Sequence, residues 1–259
     1  MTTVLKLGGS VITEKDRPET LDGRALEAAA VAVADAGATD PAGGLVVVHG
    51  GGSFGHHHAA KRDVGADQGT RDAGDVRAVH DAMGRLNAAV LDSLGDHGVP
   101  ALPVRPLSAA SRHGDGVDLA TRPVATMLEE GFCPVLHGDV VAHAGEGITV
   151  LSGDDIVAAL ARSLSVERVG LCSTVPGVLD ADGAVIERVD RFADVADAVG
   201  ASDATDVTGG MAAKVRALLD LPVPASVFGP DDLAAFLDGD RPGTLVAGGS
   251  EGEGTTAER

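Results

Sequence analysis

Aromatic side chains are nearly missing: the 259-residue chain has five Phe and neither Trp nor Tyr. Any apolar pocket must therefore be lined mainly by aliphatic groups. Lysine is almost as rare, at four positions: Lys6, Lys15, Lys61 and Lys214. Lys and Arg total 20 against 39 Asp and Glu, a net charge of −19. Such a field repels nucleic acid and membrane surfaces and excludes both as partners. It repels small anions too, so an anion site has to be built from local donors. No apolar run approaches the length of a membrane span. The opening stretch TTVLKLGGS has no basic, apolar, small-residue leader, so a cytoplasmic location is expected. Cysteine is confined to Cys133 and Cys172, both in apolar strand-like segments and expected to be buried, reduced thiols. This acid-rich, lysine-poor, Ala- and Gly-rich composition is that of adaptation to high salt.

What is present is alternation. Apolar runs begin at Val4, Leu45, Ala101, Cys133, Arg168, Ala225 and Gly243, and helical patterns lie between most of them. Asp22 is placed to cap one helix. Val76, Val79, Met83, Leu86, Val90 and Leu94 repeat at three and four, the spacing of a long amphipathic helix. Residues 140–151 and 178–186 read as hairpins, the second turning at Asp182-Gly183. Ser152 or Asp154 is placed to cap the helix after residue 151. Continuous apolar strands alternating with helices predict a mainly parallel sheet covered on both faces. The central hairpin predicts lobes 1–150 and 151–247, and the Gly- and Glu-rich tail 248–259 is expected to be disordered.

The stretch VVVHGGGSFGHHHA (46–59) admits three readings. Read as a phosphate cradle, Gly50, Gly51 and Gly52 clear the way for backbone N–H groups at a helix start. Two further glycine turns support this: KLGGS (6–10) and TGGMAAK (208–214), the latter with Lys214 a turn inside a helix. None fits the Walker spacing. Read as a hydrolase, GGSFG matches a nucleophile turn, but it overlaps the HGGG stretch that must come from another loop. No histidine follows His143 to complete a triad. Read as a metal site, His56, His57 and His58 fail because adjacent helical residues point about 100° apart.

Taken together, VLKLGGSVITEK (4–15), VVVHGGGSFGHHHA, GDV (138–140), LSGDDI (151–156), DVTGGMAAKV (206–215) and GTLV (243–246) resemble the amino acid kinase superfamily. SFGH after the glycines and DVTGGMxxK are similar to its isopentenyl phosphate branch. The resemblance implies an open three-layer αβα sandwich, a homodimer, and an acceptor-binding N-terminal lobe beside an ATP-binding C-terminal lobe. The implied reaction is ATP-dependent, Mg²⁺-requiring phosphorylation of isopentenyl phosphate in an alternative mevalonate route. Related readings are a kinase for another phosphate or phosphonate such as fosfomycin, and a non-catalytic nucleotide- or oxyanion-binding protein.

Both reactants would be phosphates. The attacking oxygen is already ionised, so positioning and charge neutralisation must carry the catalysis. By resemblance, Lys6 meets the transferring phosphoryl group, and Lys15 contacts the ATP phosphates or that group from its loop. Lys214 approaches the β- and γ-phosphates, and Asp154 organises the lysines. Gly8, Gly9, Ser10, Gly52, Thr174 and Gly210 join Lys6 and Lys214 around ATP. Gly51, Gly153 and His56 face the acceptor phosphate, and Val76, Val79 and Met83 offer an apolar wall for its tail. His57, His58 and Lys61 are left to solvent. STVPG (173–177) departs from the family's acidic loop, with Thr174 and Pro176 in place of two aspartates, and no metal ligand is assigned.

Overall fold

The computed structural model describes residues 2–37, 44–196 and 210–248. The expected disorder from residue 249 onward, and the DVTG half of the third glycine motif (206–209), lie outside the described residues.

Strand β1 (Thr2–Leu7) runs through the middle of an eight-stranded sheet. Its Val4, Leu5 and Leu7 are all buried, as a strand covered on both faces requires. On one side lie β2 (Gly44–His49), β6 (Cys133–His137) and β3 (Ala101–Pro103). On the other lie β9 (Val166–Cys172), β11 (Ala225–Phe228), β12 (Thr244–Val246) and β10 (Arg188–Val189). All neighbours are parallel except β11 and β12. A second sheet orders β5 (Gly116–Leu119), β4 (Ala110–His113), β7 (Asp139–His143) and β8 (Gly147–Leu151).

Strand alternation sorts the core into two layers. Val4, Val46 and Val48 pack with Ile156, Val157 and Leu160 of α7 (Gly153–Ser163) and with Ala212, Val215 and Leu218 of α8 (Gly210–Leu219). Leu5, Leu7 and Val47 face the other way. They meet Leu26 and Val33 of α2 (Gly23–Asp35), Met83, Leu86 and Val90 of α4 (Ala73–Asp96), and Phe236 of α9 (Leu233–Leu237). This is the three-layer αβα sandwich the sequence implied. The shorter helices are α1 (Gly9–Ile12), α3 (Gly52–Lys61), α5 (Pro106–Ala109) and α6 (Thr121–Glu129).

Caps fix where the helices begin. The Asp22 carboxylate accepts from Ala25 N–H at 3.0 Å. Asp72 accepts from Gly74 and Asp75, which starts α4 at Ala73. At α7 the ambiguity between Ser152 and Asp154 resolves. Ser152 is the cap, accepting from Asp155 N–H at 3.1 Å while Asp155 accepts from Ser152 N–H at 3.1 Å. The 140–151 hairpin is β7–β8. The expected 178–186 hairpin is smaller, a single Leu179–Val185 bridge. Strands β4 and β5 have no apolar run and were not foreseen.

Replacing Ser152 with Ala should cost about 1 kcal/mol of folding free energy. Urea unfolding measures it, and an unchanged midpoint would contradict the capping role.

Candidate active site

Four parallel strands stop level with one another: Leu7 pairs with His49 and Cys172, and His49 pairs with His137. Each following loop extends the ladder by one bond. Gly8 N–H donates to the Cys172 carbonyl at 2.9 Å, Gly50 N–H to Leu7 at 3.0 Å and Gly138 N–H to His49 at 2.9 Å. In open α/β sheets such carboxyl ends are where ligands bind.

The first two glycine turns touch through bare backbone. A Cβ on Gly50 would lie 2.7 Å from Gly9 N, and one on Gly9 would collide with Gly52. Gly52 also has a φ of 48°, open to glycine without strain. The Thr13 hydroxyl joins the two turns, donating to the Gly9 carbonyl at 2.8 Å and accepting from Ser53 N–H at 3.0 Å. A Cβ on Gly138 would stand 3.8 Å from Gly51 N and 3.5 Å from Gly153 N. The amides that open α3 and α7 therefore border one small space, at two positive helix ends.

Into this region β1 sends Lys6, the second residue after Val4 and so on the α7 face. It is 8% exposed, and its Nζ lies 2.6 Å from Oδ1 of Asp154. Burial pushes the Asp154 carboxyl up. The attraction of Lys6, then that of Lys214, and the Lys6 hydrogen bond outweigh it, leaving Asp154 below the usual carboxylate range. Two of the four lysines thus act on one carboxylate, from β1 and from the first turns of α8. Because Ser152 caps α7, Asp154 is left to bind Lys6.

The other expected residues take varied positions. Gly210 begins α8 at a φ of 62°. Ser10 is exposed in α1 just after β1, Thr174 is exposed in the loop after β9, and Lys61 is exposed on α3. Lys15 is exposed at the tip of a hairpin closed by a Thr13–Leu21 bridge. His56 and His57 lie on α3 and are both exposed, as expected of His57. His58 departs from its expected solvated place: its Nε2 is 2.6 Å from Oε1 of Glu19. Met83 is buried, with Sδ 3.5 Å from where a Gly51 Cβ would be. Val79 is also buried. Val76 lines an open groove of about 380 Å³ with Thr70, Arg71, Ala73, Arg77 and Ile148. Cys133 and Cys172 are buried free thiols, both pushed by burial up to about 12.

Behind the cradle lies a polar group that the motif reading overlooked. His49 and His137 are both 0% exposed, and their rings stack at 5.4 Å. His49 Nε2 is 3.1 Å from Asn87 Oδ1, and His80 Nδ1 is 2.8 Å from the buried Asp139 carboxylate. Burial lowers His49, and burial with the neighbouring His49 lowers His137 to about 3. A usable sequence signal existed: both VVVHG and PVLHG end an apolar run in His-Gly.

Among the described residues, no group of three His, Cys, Asp or Glu side chains is arranged to hold a metal ion. Asp154 is committed to Lys6, so this donor set does not fit a protein-built metal cage.

The amino acid kinase family model matches residues 1–222. The isopentenyl phosphate kinase of Haloferax volcanii is 62% identical over 246 residues, covering 95% of this chain and 98% of that one. The enzyme of the same name from Methanocaldococcus jannaschii is 32% identical, covering 83% and 85%. A solved structure of an isopentenyl phosphate kinase superposes with a TM-score of 0.80 at 28% identity, covering 95% of this chain and 100% of that one. The chain belongs to the amino acid kinase family.

The buried imidazoles give a pH signature. Unfolded histidine takes a proton near pH 6.5, whereas folded His137 resists it down to about 3. The unfolded state then binds more protons in that window, so stability falls as pH drops from about 6.5 towards 3. His137→Gln should shrink the stability difference between about pH 7.5 and about pH 5 by about 1–2 kcal/mol. Denaturant unfolding at both pH values tests it, and an unchanged difference would contradict the buried neutral state.

Proposed function

We propose that the chain transfers the γ-phosphoryl group of ATP to isopentenyl phosphate, giving isopentenyl diphosphate and ADP. The observation that carries this reading is the Lys6–Asp154 ion pair, with the charge of Lys214 also acting on Asp154, beside paired glycine turns in a chain 62% identical to a relative bearing that activity's name.

Two phosphates must approach one another. At an effective dielectric of about 20, two unit charges about 4 Å apart repel by about 4 kcal/mol. In this reading Lys6 lies at the crossing between donor and acceptor and offsets that repulsion. Asp154 fixes the Lys6 ammonium, and Lys214 attends the β- and γ-phosphates. Amides of Gly8, Gly9, Gly52 and Gly210, with Ser10 and Thr174, face ATP. Those of Gly51 and Gly153 face the acceptor, whose phosphate receives a hydrogen bond from His56. Val76, Val79 and Met83 lie towards its apolar tail. The acceptor oxygen is already ionised, so no residue acts as general base.

The lobe 1–150 takes the acceptor and the lobe 151–247 takes ATP. When bound with the nucleotide, Mg²⁺ would supply neutralisation of phosphate charge, and no residue of this chain is assigned to hold it. The reading also carries a cytoplasmic homodimer. Two buried free thiols and the absence, among the described residues, of a helix long and apolar enough to cross a membrane are consistent with that location.

A coupled ADP-release assay with isopentenyl phosphate, fosfomycin and N-acetylglutamate should give turnover on the first and little on the others. Preference for either of the others would end the assignment. On the same assay Lys6→Ala should lower kcat on the order of 10²–10³ fold, as for loss of one transition-state donor. A near-normal rate would remove Lys6 from the mechanism.

A further inference from the structure

The hairpin that carries Lys15 has little apolar anchorage, because residues 15–19 are all exposed. Its base is closed by the Thr13–Leu21 bridge and by Glu14 N–H donating to the Thr20 carbonyl at 2.9 Å. Its tip is tied down through Glu19. That residue has a φ of 49°, a left-handed conformation that a residue with a side chain adopts at a cost. Glu19 N–H donates to the Ser53 carbonyl at 3.2 Å.

The Glu19 carboxylate spans two helices. Oε1 lies 2.6 Å from Nε2 of His58 on α3. Oε2 accepts from Nε and Nη2 of Arg85 on α4, at 3.1 and 2.7 Å. His58 is braced in turn, with its Nδ1 3.1 Å from Nη1 of Arg62. Arginine can only donate, so Nδ1 accepts and Nε2 carries the proton given to Glu19. Arg62 Nε reaches Asp75 on α4 at 3.5 Å. The hydrogen bonds from His58 and then Arg85 hold the Glu19 carboxyl below its ordinary range. An isolated exposed ion pair contributes little. This one is charge-assisted, joined to Arg85 through two donors and part of a network.

We propose that Glu19 is a positioning residue whose carboxylate clamps the Lys15 hairpin onto α3 and α4 and so holds Lys15 towards the glycine cradle. The role of Lys15 rests on the kinase reading, whereas the clamp does not. The clamp also accounts for two residues that the phosphate chemistry leaves unused. His58 secures the loop beside the exposed His56, and Arg85 does so from the far helix.

The test compares Glu19→Ala and the charge-only Glu19→Gln with the parent chain by amide hydrogen exchange and kinetics. Exchange at Glu14, Glu19, Thr20 and Asp22 should rise about tenfold or more in Glu19→Ala as the hairpin opens. Exchange in β1 should not change. The Glu19→Ala kcat should fall about tenfold through misplacement of Lys15. In a Lys15→Ala background the same change should cost less than about twofold, because the group it positions is gone. Unchanged hairpin exchange in both variants would overturn the clamp. Faster exchange with a full tenfold loss retained in the Lys15→Ala background would overturn its link to Lys15. If the parent turns over none of the acceptors, the kinase reading fails separately and exchange alone decides the clamp.

Discussion

The pair formed by Lys6 and Asp154 is the contact on which the site depends. A carboxylate among apolar helices and strands is costly unless a partner offsets its desolvation. Here the offset comes from an ammonium 2.6 Å away, delivered by the central strand, and from a second cation on α8. One anion shared by two cations leaves a local positive excess. In a chain of net charge −19, that excess is what could hold phosphate. Removing Asp154 would leave Lys6 without its ion-pair partner, and removing Lys6 would leave a half-buried carboxylate with only the charge of Lys214 to offset it. The pair also joins β1 to the helix α7 that opens the second half of the chain.

The glycines complete what the lysines begin. At Gly9, Gly50, Gly52 and Gly138 a single methyl group would meet neighbouring backbone or intrude between amides. Donors can then come from the main chain, which carries no flexible side chain to order and no charge to desolvate. This suits a lysine-poor protein, in which the amides opening α3 and α7 border the same small space. The stacked, neutral His49 and His137 lie directly behind these turns and seal the sheet without adding charge.

Much of this was legible in the residues. Apolar runs at Val4, Leu45, Cys133 and Arg168 carried the parallel sheet, because strands buried on both faces need no alternation. Three of the four lysines stand in the motifs that carry the resemblance; Lys6 pairs with Asp154, and the charge of Lys214 also acts on it. Local chemistry left other points open. Ser152 and Asp154 were equal candidates for the cap until the capping box with Asp155 decided it. Strands β4 and β5 carry no continuous apolar run, Ala110–His113 being ASRH and Gly116–Leu119 being GVDL, so no strand pattern marks them. His58 was read as solvated because its partner, Glu19, is 39 residues away in sequence, and Arg85 is 66 from Glu19. No local pattern encodes such pairs. His49 and His137 each end a strand before a glycine, a local pattern that marks their position but not their burial.

The most direct test is a crystal structure with a non-hydrolysable ATP analogue and isopentenyl phosphate bound together. The account predicts the Lys6 ammonium between the two phosphate groups, within hydrogen-bonding distance of both, with Asp154 still its partner and Lys214 on the nucleotide side. Phosphates bound away from the ends of β1, β2 and β9, or a Lys6 that touches neither, would contradict it.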